Sequence, residues 1–195
     1  MEDVRLETQI HFLLRMDQLK HVLRRNYLSD SSRRENSAEH SWHLAMAAFL
    51  LSEHADQAFD LTRAIKMLLV HDIIEVEAGD TYCYDPAAVA GQEERERIAA
   101  DRIFGQLPED QGEELRSLWE EFEARQTPES RFANAVDCFL PLLQNYSSNG
   151  RSWQENGITA AQVRERNNRV REGSEVLWRQ AMKLIDDASI RGLLR

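Results

Sequence analysis

Long stretches of helical periodicity, interrupted by few glycines or prolines, dominate this chain and restrict what it can fold into. Glycine occurs 8 times and proline 4 times in 195 residues. We find no run in which apolar and polar residues alternate as they do in strands. The pattern predicts an all-α fold, a bundle of about seven helices. The expected helices cover about 3–26, 38–55, 61–76, 87–104, 109–124, 129–147 and 160–185.

The first predicted helix has an apolar face, and several later helices have recognisable starts. The face, which we expect to be buried, consists of Leu6, Ile10, Leu13, Leu14, Leu19 and Leu23. Helix N-terminal caps are expected at Asn36 or Ser37, at Asp60 and at Thr159. No repeat, low-complexity tract or linker divides the chain.

The chain is acidic, which excludes some classes of partner. Its formal net charge is −10. A long nucleic acid needs a basic surface, so we expect none, but a small phosphorylated substrate stays compatible because a metal and a few arginines can reverse the field locally. No apolar run approaches the roughly 20 residues that span a bilayer. The first residues lack the apolar core of a signal peptide, so we expect a cytoplasmic protein in which Cys83 and Cys138 are reduced thiols.

An apolar segment at 64–76 contains polar residues that can carry chemistry. His71, Asp72 and Glu75 are embedded in it. If the segment is one helix, Asp72 shares a face with Leu69, and a carboxylate on a core-facing stripe is costly unless a cation or hydrogen bonds satisfy it. His71 adjoins Asp72, about 100° round the helix, so both side chains can converge on one ion. Glu75 lies within reach of a water on that ion.

Two further residues complete a possible ligand set. His40 stands at the start of a predicted helix, and Asp137 is the single acid in the apolar stretch 132–141. Two imidazoles and two carboxylates suit Mn, Fe, Co, Ni or Zn better than Mg. Such an ion lowers the pKa of a bound water and polarises a phosphoryl oxygen. The pattern alone leaves two interpretations open, one divalent metal ion or a set of hydrogen-bonded core polar residues.

At these positions the chain resembles a known family. The order His40, His71-Asp72, Asp137 is similar to the H…HD…D metal signature of the HD-domain metal-dependent phosphohydrolase superfamily. The closer resemblance is to the branch of bacterial HD hydrolases that includes the 5′-deoxynucleotidases. The blocks that carry it lie at 32–43, 71–81, 118–123, 137–146 and 150–159. The resemblance implies a single HD domain over 1–195, made of a metal-binding core at about 10–147 and C-terminal helices at about 159–193 packed on that core.

The resemblance also implies roles for individual residues. The ligands of one divalent ion would be His40, His71, Asp72 and Asp137. Glu75 would orient or deprotonate the attacking water, and Asp80 would contact the substrate sugar or handle a proton near the leaving oxygen. Arg24 would grip the 5′-phosphate. The 5′-deoxynucleotidases carry a tryptophan directly after that arginine, where this chain has Arg25, so the selection of sugar and base does not transfer.

A few other residues have more than one interpretation. Arg33 and Arg34 precede the His40 helix and could either clamp a phosphate or form a solvated pair in a loop. We interpret His43 as a packing histidine rather than a second metal ligand. Trp153 is interpreted as a packing residue that could instead line a pocket or a dimer contact.

The sequence therefore predicts a metal-dependent phosphohydrolase, a phosphomonoesterase acting on nucleoside or deoxynucleoside 5′-monophosphates. Two alternatives stay open: pyrophosphohydrolase or phosphodiesterase action on another nucleotide, and a non-catalytic nucleotide-binding module. Glu75 argues against the second alternative, because a pure binder has no use for a water-activating acid beside a metal. A homodimer is implied by the resemblance alone.

Overall fold

The computed structural model describes residues 2–195 and confirms the predicted all-α class. The helices are α1 (Glu2–Met16), α2 (Ser37–Leu51), α3 (Leu61–Val70), α4 (Glu75–Ala78), α5 (Pro86–Val89), α6 (Gln92–Phe104), α7 (Glu109–Ala124), α8 (Pro128–Ser147), α9 (Arg151–Glu155), α10 (Ala160–Asn167), α11 (Val170–Gly173) and α12 (Glu175–Ile190). A small sheet is formed by β1 (Leu23–Tyr27) and β2 (Arg34–Asn36), and 3-10 turns cover Asp17–His21 and Ser52–His54. Within residues 2–195, no helix is long and apolar enough to cross a membrane.

The predicted first helix over about 3–26 is wrong in its second half. Helix α1 ends earlier, a 3-10 turn follows, and β1 then pairs antiparallel with β2. The paired residues are Leu23 with Asn36 and Tyr27 with Arg34. More residues of β1 than of β2 lie between these pairs, so β1 is bulged. Local periodicity did not reveal this hairpin, because pairing between the strands stabilises it rather than the pattern of either strand alone.

Two other predicted helices are interrupted. The segment 61–76 forms α3, a short turn and then α4, so Leu69 is 48% exposed and shares no buried face with Asp72. The last predicted helix divides into α10, α11 and α12. The final break falls at Ser174, which has an extended backbone and caps α12 by accepting from the backbone N–H of Leu177.

The predicted helix caps at Asn36, Asp60 and Thr159 are confirmed. Each of these side chains accepts a hydrogen bond from the backbone N–H three residues later. Such caps satisfy N–H groups that have no partner inside the helix. They therefore fix where α2, α3 and α10 begin, and α2 and α10 both carry residues of the site described below.

Helix α8 lies at the centre of the bundle. It contacts α2, α3, α7, α11 and α12. Its residues Ala133, Ala135 and Val136 have no exposed surface. Gly173 lets α11 approach closely, since a Cβ atom there would lie 2.5 Å from the backbone oxygen of Arg131. This packing holds α8 firmly against its neighbours.

The apolar face predicted to be buried on the first helix is mostly exposed. Phe12 and Leu19 are buried, whereas Leu13 and Leu14 are 68% and 65% exposed. We name the exposed set on this helix the α1 apolar face, consisting of Leu6, Ile10, Leu13 and Leu14. Helix α2 also exposes large apolar side chains, namely Trp42, Met46, Phe49 and Leu50. Exposed apolar surface of this extent is typical of an interaction site.

Candidate metal centre

Two histidines meet between the first turn of α2 and the end of α3. Asn36 caps α2 by accepting from the backbone N–H of Glu39, which fixes the start of the helix that carries His40. His71 follows directly after α3, and its Nδ1 atom lies 2.9 Å from the backbone oxygen of Leu68. This contact suits an Nδ1–H donor, so Nε2 of His71 keeps its lone pair. The two ring centroids are 5.8 Å apart.

Two carboxylates face the same point as these imidazoles. Oδ1 of Asp72 lies 3.1 Å from Nε2 of His71. Oδ1 of Asp137, on α8, lies 3.1 Å from Nε2 of His40 and 3.8 Å from Nε2 of His71. The candidate ligand atoms of His40, His71 and Asp72 all lie within 4.8 Å of one another. The structure thus brings together the four residues that the sequence predicts as metal ligands.

The chemistry of these groups fits a divalent cation. Nε2 of His71 is buried and has no hydrogen-bond partner anywhere in residues 2–195. Burial lowers the pKa of His71, which keeps its ring neutral. Burial and the charge of Arg24 both disfavour a protonated His40. The neighbouring carboxylates of Asp137 and Glu35 nevertheless raise the pKa of His40, so the site favours positive charge at this point. Two imidazole nitrogens with two carboxylate oxygens suit a borderline transition metal.

A buried carboxylate behind His40 was not among the predicted site residues. Glu35, on β2, is 1% exposed, and its Oε2 atom lies 3.4 Å from Nδ1 of His40. Gln144, on α8, donates from Nε2 to Oε1 of Glu35 at 2.5 Å. A carboxylate at Nδ1 selects the tautomer in which Nε2 is free to bind a metal. Glu35 lies between the first two predicted helices, where no local pattern indicates burial, and the pairing of β2 with β1 is what buries it.

Two further acids stand at the edge of the ligand group. Glu75 begins α4 and is buried, and its Oε2 atom accepts from the hydroxyl of Ser37 at 2.6 Å. Burial, reinforced by the negative charge of Asp72, raises the pKa of Glu75 well above its ordinary value. Burial also raises the pKa of Asp80, although Arg24, 3.9 Å away, opposes that shift. A carboxyl group with a raised pKa can exchange a proton closer to neutral pH.

Two guanidinium groups flank the carboxylates. Arg24, on β1, donates to Oδ2 of Asp72 at 2.7 Å. Arg166, on α10, donates to Oδ2 of Asp137 at 3.4 Å. In an acidic chain they place positive charge where an anion would approach the centre. Sequence reasoning missed Arg166, because it belongs to no recognised motif and lies far along the chain from the other residues.

The other two predicted phosphate contacts lie elsewhere. Arg33 is exposed and pairs with Glu39 at 2.6 Å, and Arg34 lies 3.8 Å from Glu155. Neither arginine lines the cleft over the centre. Phosphate contact by Arg33 or Arg34 therefore stays a prediction. His43 is also outside the cluster of ligand atoms, in line with its interpretation as a packing histidine.

An open cleft runs over the ligand group, and a smaller cavity lies beside it. His71, Asp72 and Glu75 line the cleft. Trp153 lines the cavity, as one of its sequence interpretations allowed. The residues that line both spaces include Arg24, Asp80, Asp137 and Arg166. The cleft and the cavity therefore meet at the carboxylates and the two arginines.

The chain is therefore a helical domain in which two histidines and two aspartates lie close together and form a candidate metal site. Residues 16–178 match the protein family described as HD domain. The match covers most of the chain. The chain belongs to the HD domain family.

Comparisons with individual proteins agree with this family membership. The human 5′-deoxynucleotidase HDDC2 is 31% identical over 136 residues, which cover 69% of this chain and 65% of the human protein, just under two thirds of its length. A predicted metal-dependent phosphohydrolase from Magnetospirillum magnetotacticum MS-1 is 49% identical and superposes with a TM-score of 0.93, covering 97% of this chain and 95% of that one. A conserved hypothetical protein from Pyrococcus furiosus, 20% identical with a TM-score of 0.60 over 92% of this chain and 98% of that one, shares the fold.

Proposed function

We propose that this chain is a metal-dependent phosphomonoesterase that acts on nucleoside or deoxynucleoside 5′-monophosphates. The observation that carries the proposal is the convergence of His40, His71, Asp72 and Asp137 at one point, beside the buried acid Glu75. The similarity to the 5′-deoxynucleotidase HDDC2 and to the Magnetospirillum phosphohydrolase supports the same class of reaction.

The four ligand residues would hold one divalent ion, with Mn, Co, Fe, Ni or Zn favoured over Mg by the two imidazoles. When bound, the ion supplies Lewis-acid polarisation of a phosphoryl oxygen and acidifies a water. Oε2 of Glu35 lies 3.4 Å from Nδ1 of His40, and the backbone oxygen of Leu68 lies 2.9 Å from Nδ1 of His71. Both imidazoles are thereby oriented before the substrate arrives, which reduces the reorganisation needed during the reaction.

The remaining site residues act on the substrate and on protons. Arg24 and Arg166 approach the ligand group on separate elements, β1 and α10, and can both donate to oxygens of one phosphate. Glu75, held through its Oε2 atom by Ser37, takes the proton of the attacking water. Asp80 lines the cleft and the cavity, where it can meet the leaving oxygen or the sugar.

The direct test is phosphate release from a panel of ribo- and deoxyribonucleoside 5′-monophosphates, with Mn²⁺ or Co²⁺ added. Activity is expected on monophosphates and is expected to stop when a chelator removes the ion. Triphosphates and cyclic nucleotides belong in the same panel. Pyrophosphate or a 5′-monophosphate among the products, without release of phosphate from monophosphates, would replace the phosphomonoesterase proposal by pyrophosphohydrolase or phosphodiesterase action.

We also propose that two copies of the chain associate through the α1 apolar face. A homodimer would cover leucines that are otherwise exposed over most of their surface. Leu13→Glu combined with Leu14→Glu is therefore expected to convert a dimer into a monomer, because burying two carboxylates in an apolar interface is costly. Light scattering after size-exclusion chromatography measures the change. Ile190→Glu, at an isolated apolar residue that is 85% exposed on α12, is the matched control. A wild-type monomer at high protein concentration would contradict the proposal.

Two further expectations concern the domain organisation and the location of the protein. We propose that the described chain forms a single domain, in which α10, α11 and α12 pack on α8. We also propose a cytoplasmic location. It is supported by the two cysteines, Cys83 and Cys138, which are both free thiols, as reducing compartments favour.

A further inference from the structure

A buried carboxylate lies between an arginine of the cleft and one of the candidate metal ligands. Glu35, on β2, is 1% exposed. Its Oε2 atom lies 3.4 Å from Nδ1 of His40 and 4.0 Å from Nε of Arg24. One oxygen atom therefore faces both a side chain that would hold the ion and a side chain that would hold an anion. All three side chains are buried or nearly so, and solvent screens charges little at such a place.

The hairpin and helix α8 together fix the position of this carboxylate. Leu23 pairs with Asn36 in the antiparallel sheet, so Arg24 on β1 and Glu35 on β2, which adjoin that pair, are neighbours across the sheet. On the other side, Gln144 of α8 donates from its Nε2 atom to Oε1 of Glu35 at 2.5 Å. Because Oε1 is occupied in this way, Oε2 is the oxygen that is left for the arginine and the histidine.

Three polar atoms at this point have no hydrogen-bond partner. Nε of Arg24, Oε2 of Glu35 and Nδ1 of His40 are all buried, and none of them makes a hydrogen bond within residues 2–195. Buried polar atoms in folded proteins are almost always hydrogen-bonded. The 3.4 Å between Oε2 and Nδ1 exceeds the usual N–H···O distance of about 2.9 Å by only about half an ångström. A small shift of these side chains would therefore complete the contacts.

The far ends of the same arginine and histidine reach the candidate metal ligands. Nη1 of Arg24 donates to Oδ2 of Asp72 at 2.7 Å. Nε2 of His40 lies 3.1 Å from Oδ1 of Asp137. An ion bound at these aspartates would offset their negative charge and leave the guanidinium group free to donate to a phosphate. Glu35 would hold the arginine at its Nε atom in either case.

We propose that Glu35 is a positioning residue through which the metal ion and the phosphate of the substrate tighten each other's binding. The inference rests on the proposed function, which supplies both the ion and the phosphate. An ion that fixes His40 also fixes Glu35, and Glu35 in turn holds Arg24 in place for the phosphate. A phosphate at Arg24 acts on His40 by the same contacts in reverse. Because Glu35 has to be ordered only once for the two ligands, whichever binds second binds more tightly.

The test is titration of the full chain with Mn²⁺, with and without inorganic phosphate, in which electron paramagnetic resonance measures the free Mn²⁺. In the wild type, phosphate is expected to tighten Mn²⁺ binding by about tenfold, and Mn²⁺ to tighten phosphate binding equally, since such effects are reciprocal. Glu35→Gln keeps an acceptor for Gln144 but removes the charge that faces His40 and Arg24. It is expected to weaken Mn²⁺ binding by about 10–100-fold and to reduce the effect of phosphate to about threefold or less.

The matched control is Glu39→Gln, on the helix that carries His40. Glu39 pairs with Arg33 at the surface and lines neither the cleft nor the cavity. Its Mn²⁺ affinity and its response to phosphate should match the wild type. Thermal unfolding shows whether Glu35→Gln is folded. If it is not, Gln144→Met decides, because it frees Oε1 of Glu35 while the charge stays, and it should reduce the effect of phosphate in the same direction.

Weaker Mn²⁺ binding in Glu35→Gln with an unchanged effect of phosphate would overturn the proposal, because Glu35 would then support His40 alone. Wild-type values for both quantities would also overturn it, as would a wild type whose Mn²⁺ affinity does not respond to phosphate. A wild type that binds no Mn²⁺ would overturn both this inference and the proposed function. Binding of Mn²⁺ without phosphate release from any nucleotide would overturn the proposed function only, and the titrations would still decide the role of Glu35.

Discussion

Asp72→Asn is expected to remove stoichiometric metal binding and to lower kcat/KM for the best 5′-monophosphate by roughly a thousandfold or more. The amide keeps the shape of the side chain but loses the negative charge that a divalent ion requires. The substitution also removes the negative charge beside Arg24, which donates to Oδ2 of Asp72 in the wild type. The interaction that holds the arginine in place is therefore weakened. The measurements are metal content by mass spectrometry after dialysis and steady-state phosphate release.

The control for this substitution is Asp186→Asn on α12. Asp186 forms an ion pair with Arg164 at the surface and lies outside the cleft and the cavity. Asp186→Asn should leave metal content and turnover as they are in the wild type. A folded Asp72→Asn protein that retains one ion per chain and wild-type turnover would show that the carboxylate is not a ligand, and the proposed metal centre would fail with it.

Glu75→Gln is expected to lower kcat by about 10²–10⁴-fold, the range of general acid–base catalysis, while metal content stays at one ion per chain. Glutamine can still accept from the Ser37 hydroxyl, so the local structure is preserved. It cannot take a proton from water. A variant that loses turnover but keeps its metal ion would show that Glu75 acts on a proton and is not a metal ligand.

A matched control stands on the same short helix. Glu77, on α4, pairs with Arg15 at 3.2 Å and lies outside the cleft. Glu77→Gln is expected to leave kcat unchanged, because Glu77 pairs with Arg15 and Arg102 and none of these three residues lines the cleft. Equal losses in Glu75→Gln and Glu77→Gln would point to a structural effect of α4, and metal loss in Glu75→Gln would make Glu75 a ligand.

Three of the four candidate ligands could be predicted from sequence because each breaks a local rule. His71 and Asp72 interrupt an apolar segment, and Asp137 is the single acid in another, so their polarity demanded an explanation. The caps at Asp60 and Thr159 follow from equally local chemistry. These signals need no knowledge of the fold. The predicted helix was nevertheless wrong around Asp72, since α3 ends at Val70, and Asp72 was selected as a candidate ligand for a partly mistaken reason.

The residues that were missed depend on contacts between distant parts of the chain. Glu35 is buried only because β2 pairs with β1 and because Gln144, from α8, reaches it. Arg166 meets Asp137 from a helix that carries no motif. The prediction for the first helix was wrong in the opposite way. Its apolar periodicity is real, but no other part of the described chain packs on the α1 apolar face. Periodicity shows that a face is apolar and cannot show what covers it.

The bulged hairpin of β1 and β2 links two parts of the site. One strand carries Arg24 and Asn26, which face the cavity, and the other carries Glu35, which supports His40. A single insertion or deletion in the bulge would reverse the facing of every later side chain in the strand. The wall of the cavity and the support of His40 are therefore coupled through one hairpin, while the four candidate metal ligands lie outside it on the helical part of the chain.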